Sequence, residues 1–481
     1  MKVVVLAGGK SRRLKPIEDK NFLRLLGKPL LQHQLEQLVA AGLTDFIIVG
    51  SSENLGKIRS LVRDLEKSGS PWATKVEIKV VEQKNPAGMA GALFAAEKLL
   101  KSSPMLIVSA NDVVEKSAYE SMLHEIKKTA AGVSVLLLVK KIQGYFPGGY
   151  LKISQSGRIT GIVEKPKPGS EPGKFVNLVV HFHRDSNALF TALHQVKSDH
   201  DDRYELALNQ LLKSGSGRQP GSSKRSDNSR QSNGKQFAPA IKAVPYNGFW
   251  QPIKYPWHVL QVAEYFLSQM QNGLKKGHQV EIAKSAQIRG NVFLDNGVKV
   301  LENAVIVGPA FIGKNTIIAT NSLVRESIIG ENCVIGFGTE VARSFVGSHV
   351  WTHTNYIGDS IIGDDCSFGA GTVTGNLRLD EGEISVMVQD EKINSERSKL
   401  GLVTGSHVRC GINTSFMPGV KIGNNCLIGA GILVGSDVPD GQLVYAKTEL
   451  MMKENKSQIN DKKRTEMKKN LAHRKSSLQT N

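Results

Sequence analysis

The sequence predicts two dissimilar domains in one chain of 481 residues: a Rossmann-like α/β domain with a mainly parallel sheet, then a left-handed parallel β-helix of hexapeptide repeats. Three observations lead there. Up to about Leu267, short β-type runs alternate with longer amphipathic helical patterns, as right-handed crossovers onto a parallel sheet require. After about Val280 a six-residue period takes over. The length exceeds one ordinary core and suits two or three domains.

In chain order, KVVVLAGG reads as a strand running into a glycine loop, LLQHQLEQLVAAG as an amphipathic helix ended by Gly42, and DFIIVG as the next strand. KVEIKVVEQ and PMLIVSAND are further strands, the second preceded by a helix around AGALFAAEKLL. Ligands of such sheets sit beyond the carboxyl ends of the strands, which is where the glycine loop and Asp112 fall. The repeats are IGKNTI (312–317), IGENCV (329–334), IGDDCS (362–367), FGAGTV (368–373), IGNNCL (422–427) and IGAGIL (428–433). Three hexapeptides make one triangular coil with aliphatic residues inward. The period breaks at about 376–401, an excursion from the helix. The predicted domains are therefore 1–267, a linker at 268–279, a β-helix at 280–446 and a basic flexible tail at 447–481, with a disordered basic insert at 213–236.

Composition is globular, 40% hydrophobic and 22% charged, but the net charge of +18 invites a polyanion-binding reading. The charge is peripheral. Residues 213–235 carry six basic and one acidic residue, and 447–481 carry ten and four, together 11 of the 18. Weak nucleic-acid or anionic-surface contact is thus an expectation for the tail alone. No run of 18 apolar residues predicts a membrane span, and the N-terminus reads as a strand rather than a signal peptide. Cys333, Cys366, Cys410 and Cys426 stand singly, as small core residues in a reducing cytosol do.

The loop LAGGKSRRLKPIEDKNFLRLLGKPLL carries the chemistry of the first half. Adjacent Gly8 and Gly9 let the backbone approach a triphosphate, and Arg13 and Lys20 are placed to neutralise phosphates and a leaving pyrophosphate. GKS at 9–11 is no P-loop, because the earlier glycine of that motif would be Val4. With Lys20 and G27-K28-P29 following, the stretch resembles the nucleotide-sugar pyrophosphorylases, with Ser11 and Asp19 in the places of the usual Gly and Pro; these two substitutions look like the molybdenum-cofactor guanylyltransferases of the same fold. The resemblance implies that Leu6, Ala7, Gly8, Gly9, Gln83 and Gly88 bind the nucleotide, with EQKNPAGMAGAL (82–93) reading the base. It implies Asp112 in SAND as a Mg²⁺ ligand. In FPGGYLKISQSGRITGIVEKPKPG (146–169) and KFVNLVV it implies Gly149, Glu164, Lys165 and Asn177 around the sugar phosphate, with RYELALNQLL (203–212) as the helix that follows. One departure stands out. Where related chains have a second metal carboxylate in a segment like WxDIGxPWxLL, this chain has WQPIKYPWHVLQVAEYFL (250–267), with Pro252 at that position.

HTNYIGDSIIGDDCSFGAGTVTGN (353–376) is similar to the acetyltransferase domain of bifunctional amino-sugar enzymes. It implies His353 as general base toward an amino sugar, a role that suits an imidazole near neutral pH. Tyr356 and Asn376 would orient the acceptor, and RSKLGLVTGSHVRCGINTSFMPGVKIG (397–423) would bind the acyl carrier between subunits. The related pattern has a Lys six residues after this Asn, where this chain has Gly382 between Glu381 and Glu383; Arg378 or Lys392 are the candidate substitutes.

The whole resembles the archaeal bifunctional enzymes that join sugar-1-phosphate nucleotidylyltransferase to amino-sugar-1-phosphate acetyltransferase. It implies acetyl-CoA-dependent acetylation of glucosamine 1-phosphate (or galactosamine 1-phosphate), then uridylyl transfer from UTP with Mg²⁺, in a cytoplasmic homotrimer. UTP against dTTP is left open, as is the sugar. Two other readings remain at this stage: a nucleotidylyltransferase for glucose 1-phosphate with a structural β-helix, favoured by Gly382, and a non-catalytic regulatory subunit, favoured by Pro252.

Overall fold

The computed structural model describes residues 1–129, 133–154, 159–215, 240–447, 449–457 and 461–477. Most of the insert expected at 213–236 lies outside the described residues; its first three positions end a helix.

The first 268 residues form β1 (Lys2–Leu6), α1 (Leu30–Ala40), β2 (Asp45–Ser51), α2 (Leu55–Lys67), β3 (Glu77–Gln83), α3 (Gly88–Leu100), β4 (Met105–Ser109), β5 (Asp112–Val114), α4 (Lys116–Lys128), β6 (Val133–Lys141), β7 (Gly149–Ile153), β8 (Ile159–Glu164), β9 (Phe175–His183), α5 (Ser186–Gln195), α6 (Arg203–Gly215), β10 (Ala240–Pro245), β11 (Trp250–Pro252) and α7 (His258–Ser268). A nine-stranded sheet runs β8–β7–β9–β4–β1–β2–β3, with β6 joining β9 to β10. β4, β1, β2 and β3 are parallel, in the registers Lys2↔Met105, Val3↔Phe46 and Phe46↔Ile78. The central strand KVVVL is buried on both faces, so it reads as a continuous apolar run rather than an alternation. β9 runs antiparallel to β4 and β6, making the sheet mixed on that side. The glycine loop, the start of α3 and Asp112 all follow the carboxyl ends of β1, β3 and β4.

The second half is a left-handed parallel β-helix. Its faces are two eight-stranded parallel sheets and a third built from two four-stranded ones. The sequence period explains the coil. Aliphatic positions such as Ile312, Ile329, Ile362 and Ile422 are fully buried, while the glycine after each leaves room for the next coil. A Cβ on Gly313 would lie 2.5 Å from the Gly330 carbonyl carbon, and one on Gly330 2.5 Å from that of Gly347. The corners that follow Gly313, Gly330, Gly363 and Gly423 take a left-handed residue, Asn315, Asn332, Asp365 and Asn425, a conformation Asn and Asp tolerate best among non-glycines. The four cysteines are free and buried in this core, and burial pushes the Cys333 thiol up to about 12.

Two expectations are corrected here. The stretch 268–279 is not wholly linker: Leu274–Lys276 already pairs with Val292–Leu294 as the first rung. The tail is not wholly irregular either, for Asp461–Ser477 is a helix. Lys, Arg, Glu, Met, Leu and Ala are strong helix formers, and propensity supports a helix even where no apolar face exists to be buried.

Met1–Val444 form one compact unit, and Tyr445 onward another. Within the first, the α/β domain rests on the β-helix through one apolar cluster. Leu14, Leu23, Leu25, Ile253 and Trp257 meet Phe311, Phe345 and Ile361, and the excursion contributes Ile384, Val386 and Val388. That excursion is a hairpin, Ser385–Val388 against Glu391–Asn394. Asn424 Nδ2 also donates to the Pro16 carbonyl at 3.1 Å. The loop that carries Arg13 and Lys20 is thereby braced from below by the other domain.

Candidate functional site

The turn from β1 into the loop is held from behind. Asn21 and Asn54 both donate to the Ala7 carbonyl (3.0 and 2.9 Å), and the Leu6 carbonyl accepts from Ala110 N. Asp19, in the unusual position, accepts from Asn21 N and Nδ2 and from Asn54 Nδ2. It is a brace for the loop, which explains why a carboxylate is accommodated beside Lys20. Gly8 is required sterically: a Cβ there would stand 2.7 Å from Gln83 Oε1. Gly9 faces Lys20, whose Nζ lies 3.8 Å from the position of its absent Cβ.

Gln83 is tied to its own loop. Its Nε2 donates to the carbonyls of Asn85 (3.0 Å) and Gly88 (3.2 Å), so its donors brace the loop and only Oε1 remains as an acceptor. Gly88 opens α3 with φ of +57°, and a Cβ on it would collide with Asp201.

Across the cleft, Gly149 and Asn177 are juxtaposed so closely that a Cβ on Gly149 would lie 2.3 Å from Asn177 Oδ1. Lys165 Nζ lies 3.2 Å from Glu164 and 3.7 Å from Asp201. Electrostatics tie both sides into one site. Burial lowers the Lys20 pKa to about 8, assisted by Arg13 and opposed by Asp112 and Asp19. Burial raises Glu164, and pushes Glu205 on α6 up to about 8 with the charge of Glu164 adding to it. Arg13 lies over the Tyr255 ring at 5.8 Å, and Tyr255 stacks on Trp257.

Asp112 carries the metal expectation. Its Oδ1 accepts from Ser109 Oγ at 3.4 Å, and β5 pairs antiparallel with β11 so that Pro252 stands directly opposite Asp112. Among the described residues no group of three or more His, Cys, Asp and Glu could hold a metal. One carboxylate fits Mg²⁺ only where substrate phosphates complete the shell, which is how that ion is commonly held.

The sequence reading missed Lys254. Its Nζ donates to the Pro147 carbonyl and lies 3.6 Å from the centre of the Phe146 ring. Burial lowers its pKa to about 7, with Asp112, Arg13, Glu164 and Lys165 as the charges facing it. His258 Nδ1, 2.7 Å from the Pro252 carbonyl, fixes the turn.

In the β-helix, Asn376 Nδ2 donates to Tyr356 Oη (3.1 Å) and to Asp359 Oδ2 (2.6 Å). Asp359 in turn takes a bidentate pair from Arg343 at 2.8 and 2.7 Å. Arg343 lies one coil before Asp359, so the coil period itself was the signal that could have found it. The carboxylate raises the guanidinium pKa further. His353 is exposed at the adjoining corner, its backbone N–H donating to Asn355 Oδ1. Of the substitutes for the Lys missing at Gly382, Arg378 is engaged by Asp380 and the Glu383 carbonyl, and Lys392 is exposed on the hairpin.

An α/β domain with charged groups gathered beside a glycine loop is joined to a hexapeptide-repeat β-helix, and residues 2–219 match the family model described as nucleotidyl transferase. Over nearly its whole length the chain is similar to proteins described as bifunctional. It is 28% identical over 459 residues to the bifunctional protein GlmU of Methanococcus maripaludis, covering 94% of this chain and 99% of that one. It is 29% identical over 450 residues to the bifunctional sugar-1-phosphate nucleotidylyltransferase/acetyltransferase of Sulfurisphaera tokodaii, covering 92% and 99%. A glucose-1-phosphate thymidylyltransferase of Streptomyces antibioticus is 25% identical over 347 residues, or 70% of this chain and 84% of that one. Among the described residues no helix is long and apolar enough to cross a membrane.

Proposed function

We propose that this chain is a bifunctional enzyme of nucleotide-sugar synthesis. The observation that carries the reading is the convergence of Arg13, Lys20, Asp112, Glu164 and Lys165, from separate segments, on one cleft beside a glycine loop. On the β-helix, acetyl-CoA acetylates glucosamine 1-phosphate. His353 takes the amine proton as nitrogen attacks the thioester carbonyl, the C–S bond breaks, and the thiol leaves with a proton. Tyr356 and Asn376, tied to Asp359 and Arg343, fix the acceptor.

In the α/β domain, a phosphate oxygen of N-acetylglucosamine 1-phosphate attacks the α-phosphorus of UTP in line. The α–β bond breaks and pyrophosphate leaves. Backbone N–H groups of Gly8 and Gly9 approach the triphosphate, Arg13 and Lys20 offset the charge growing on the leaving group, and Glu164 and Lys165 orient the sugar phosphate. A Mg²⁺ ion on Asp112 would supply further charge neutralisation between the phosphates. The enzyme is proposed to work in the cytoplasm as a homotrimer.

The test pairs two assays on purified protein: pyrophosphate released from UTP and N-acetylglucosamine 1-phosphate with Mg²⁺, and thiol released from acetyl-CoA and glucosamine 1-phosphate. Turnover in both is expected, and none in either rejects the reading. Pyrophosphate without thiol selects the second reading, a nucleotidylyltransferase on a structural β-helix, which Gly382 and the engaged Arg378 favour. Replacing UTP by dTTP and the amino sugar by glucose 1-phosphate assigns the substrates.

A further inference from the structure

The segment Trp250–Trp257 departs twice from the related pattern WxDIGxPW. Pro252 stands for the carboxylate, and two residues on Lys254 stands for the glycine. The two changes act at one place. Pairing of β11 with β5 sets Pro252 opposite Asp112, and the Lys254 ammonium two residues on is faced by the charges of Asp112, Arg13, Glu164 and Lys165.

How that ammonium is held bears on its role. It rests on neutral groups, the Pro147 carbonyl and the Phe146 ring, and among the described residues no carboxylate lies within ion-pair distance of it. A largely enclosed cation without a counter-ion is costly unless an anion arrives. Its perch also says which anion. Pro147 and Phe146 begin the stretch that leads to Gly149, and Gly149 touches Asn177. Glu164 and Lys165, which lead from the same side, are also among the charges that face the ammonium.

We propose that Lys254 binds the phosphate of the sugar 1-phosphate, providing as a fixed side-chain charge the neutralisation that a second metal-binding carboxylate would otherwise recruit. The assignment rests on the nucleotidyl-transfer reading above and deepens it. Two consequences follow from charge alone. Sugar-phosphate binding needs no divalent cation, because a lysine replaces it. A second cation is disfavoured beside Asp112, because an ammonium already faces that carboxylate.

Calorimetric titration of the full chain with N-acetylglucosamine 1-phosphate and with glucose 1-phosphate, both in EDTA, tests it. Wild-type protein should bind one of them. Lys254→Met should weaken that binding about tenfold or more, the worth of one charge-assisted hydrogen bond, and Lys254→Arg should restore most of it. Affinity for UTP with Mg²⁺ should be retained in Lys254→Met, which also reports that the variant is folded. The double variant Pro252→Asp with Lys254→Gly should bind the sugar phosphate only when Mg²⁺ is added. Wild-type-like binding by Lys254→Met overturns the assignment, as does equal loss of sugar phosphate and UTP, or metal-independent binding by the double variant. Wild-type protein that binds neither sugar phosphate overturns the functional reading together with the assignment.

Discussion

The cleft of the α/β domain and the His353 corner of the β-helix are built on opposite plans. In the cleft, charged groups from the glycine loop, β5, β8 and the segment after β11 face one another in a partly enclosed space, and burial shifts Lys20, Lys254 and Glu164. At the corner, His353 projects into solvent, and only Tyr356, Asn376, Asp359 and Arg343 form a closed network. In this and neighbouring coils stand large exposed apolar side chains: Phe337 is 57% exposed, Trp351 56% and Ile412 55%. Flat β-helix faces supply residues but no walls. The comparison teaches that the charged groups of the cleft face one another within one chain, whereas the corner presents its side chains on an open face.

The sharpest way to break this comparison is to remove each reaction separately. His353→Ala should lower thiol release by about 10²–10⁴-fold, the range for loss of a general base, with pyrophosphate release unchanged. Survival of thiol release rejects His353 as the base. Lys20→Met should do the reverse, lowering pyrophosphate release about 10²–10³-fold as removal of a charge-stabilising group does, and sparing thiol release. Coupled losses in either variant would mean that the two sites are not independent.

The two sites also differ in how far the sequence disclosed them. Segments whose chemistry depends on local backbone were legible: the glycine loop after β1, the hexapeptide coil and its buried aliphatic positions, and the excursion at 376–401. Residues whose role depends on distant partners were not. Lys254 carries no local signal in sequence, and only the fold brings it to Asp112, Arg13, Glu164 and Lys165. Arg343 lies 16 residues before Asp359 and meets it only because one coil has about that length. Asp19 looked like a deviation from the related loop, yet its two Asn partners make it a brace. Gln83, expected at the base, has its Nε2 on neighbouring carbonyls and its Oε1 toward the glycine loop, a partition of one side chain that depends on loop geometry. The tail helix was missed because its composition carries no apolar periodicity, the signal on which helices are usually read.

The exposed apolar row gives the next prediction. In the proposed homotrimer these exposed apolar side chains would be covered by a second copy. If these side chains hold the proposed trimer together, Trp351→Glu with Ile412→Glu should give monomer where wild type gives trimer by light scattering, and thiol release should fall about tenfold or more while pyrophosphate release stays. Pyrophosphate release falling in parallel would show that the cleft too depends on a neighbouring copy.

The smallest effect, and the one most diagnostic of the enclosed cleft, concerns pH. Lys20 faces Asp112, Arg13 and Asp19, and burial holds its pKa at about 8, below its ordinary value of 10.5. For the free enzyme, kcat/KM of nucleotidyl transfer should therefore fall tenfold per unit above about pH 8, because the neutral amine no longer offsets phosphate charge. Stability moves the opposite way. Between about pH 8 and 10.5 the unfolded chain binds more protons at this residue than the folded one, so the destabilisation that Lys20 causes at pH 7 fades as pH rises. Lys20→Met should then melt at a higher temperature than wild type at pH 7, with the gap narrowing toward pH 10. The β-helix reaction shares none of these groups, so its rate should show no limb that Lys20→Met removes. A melting gap independent of pH would place Lys20 in water, and the contrast between an enclosed cleft and an open corner would lose its electrostatic basis.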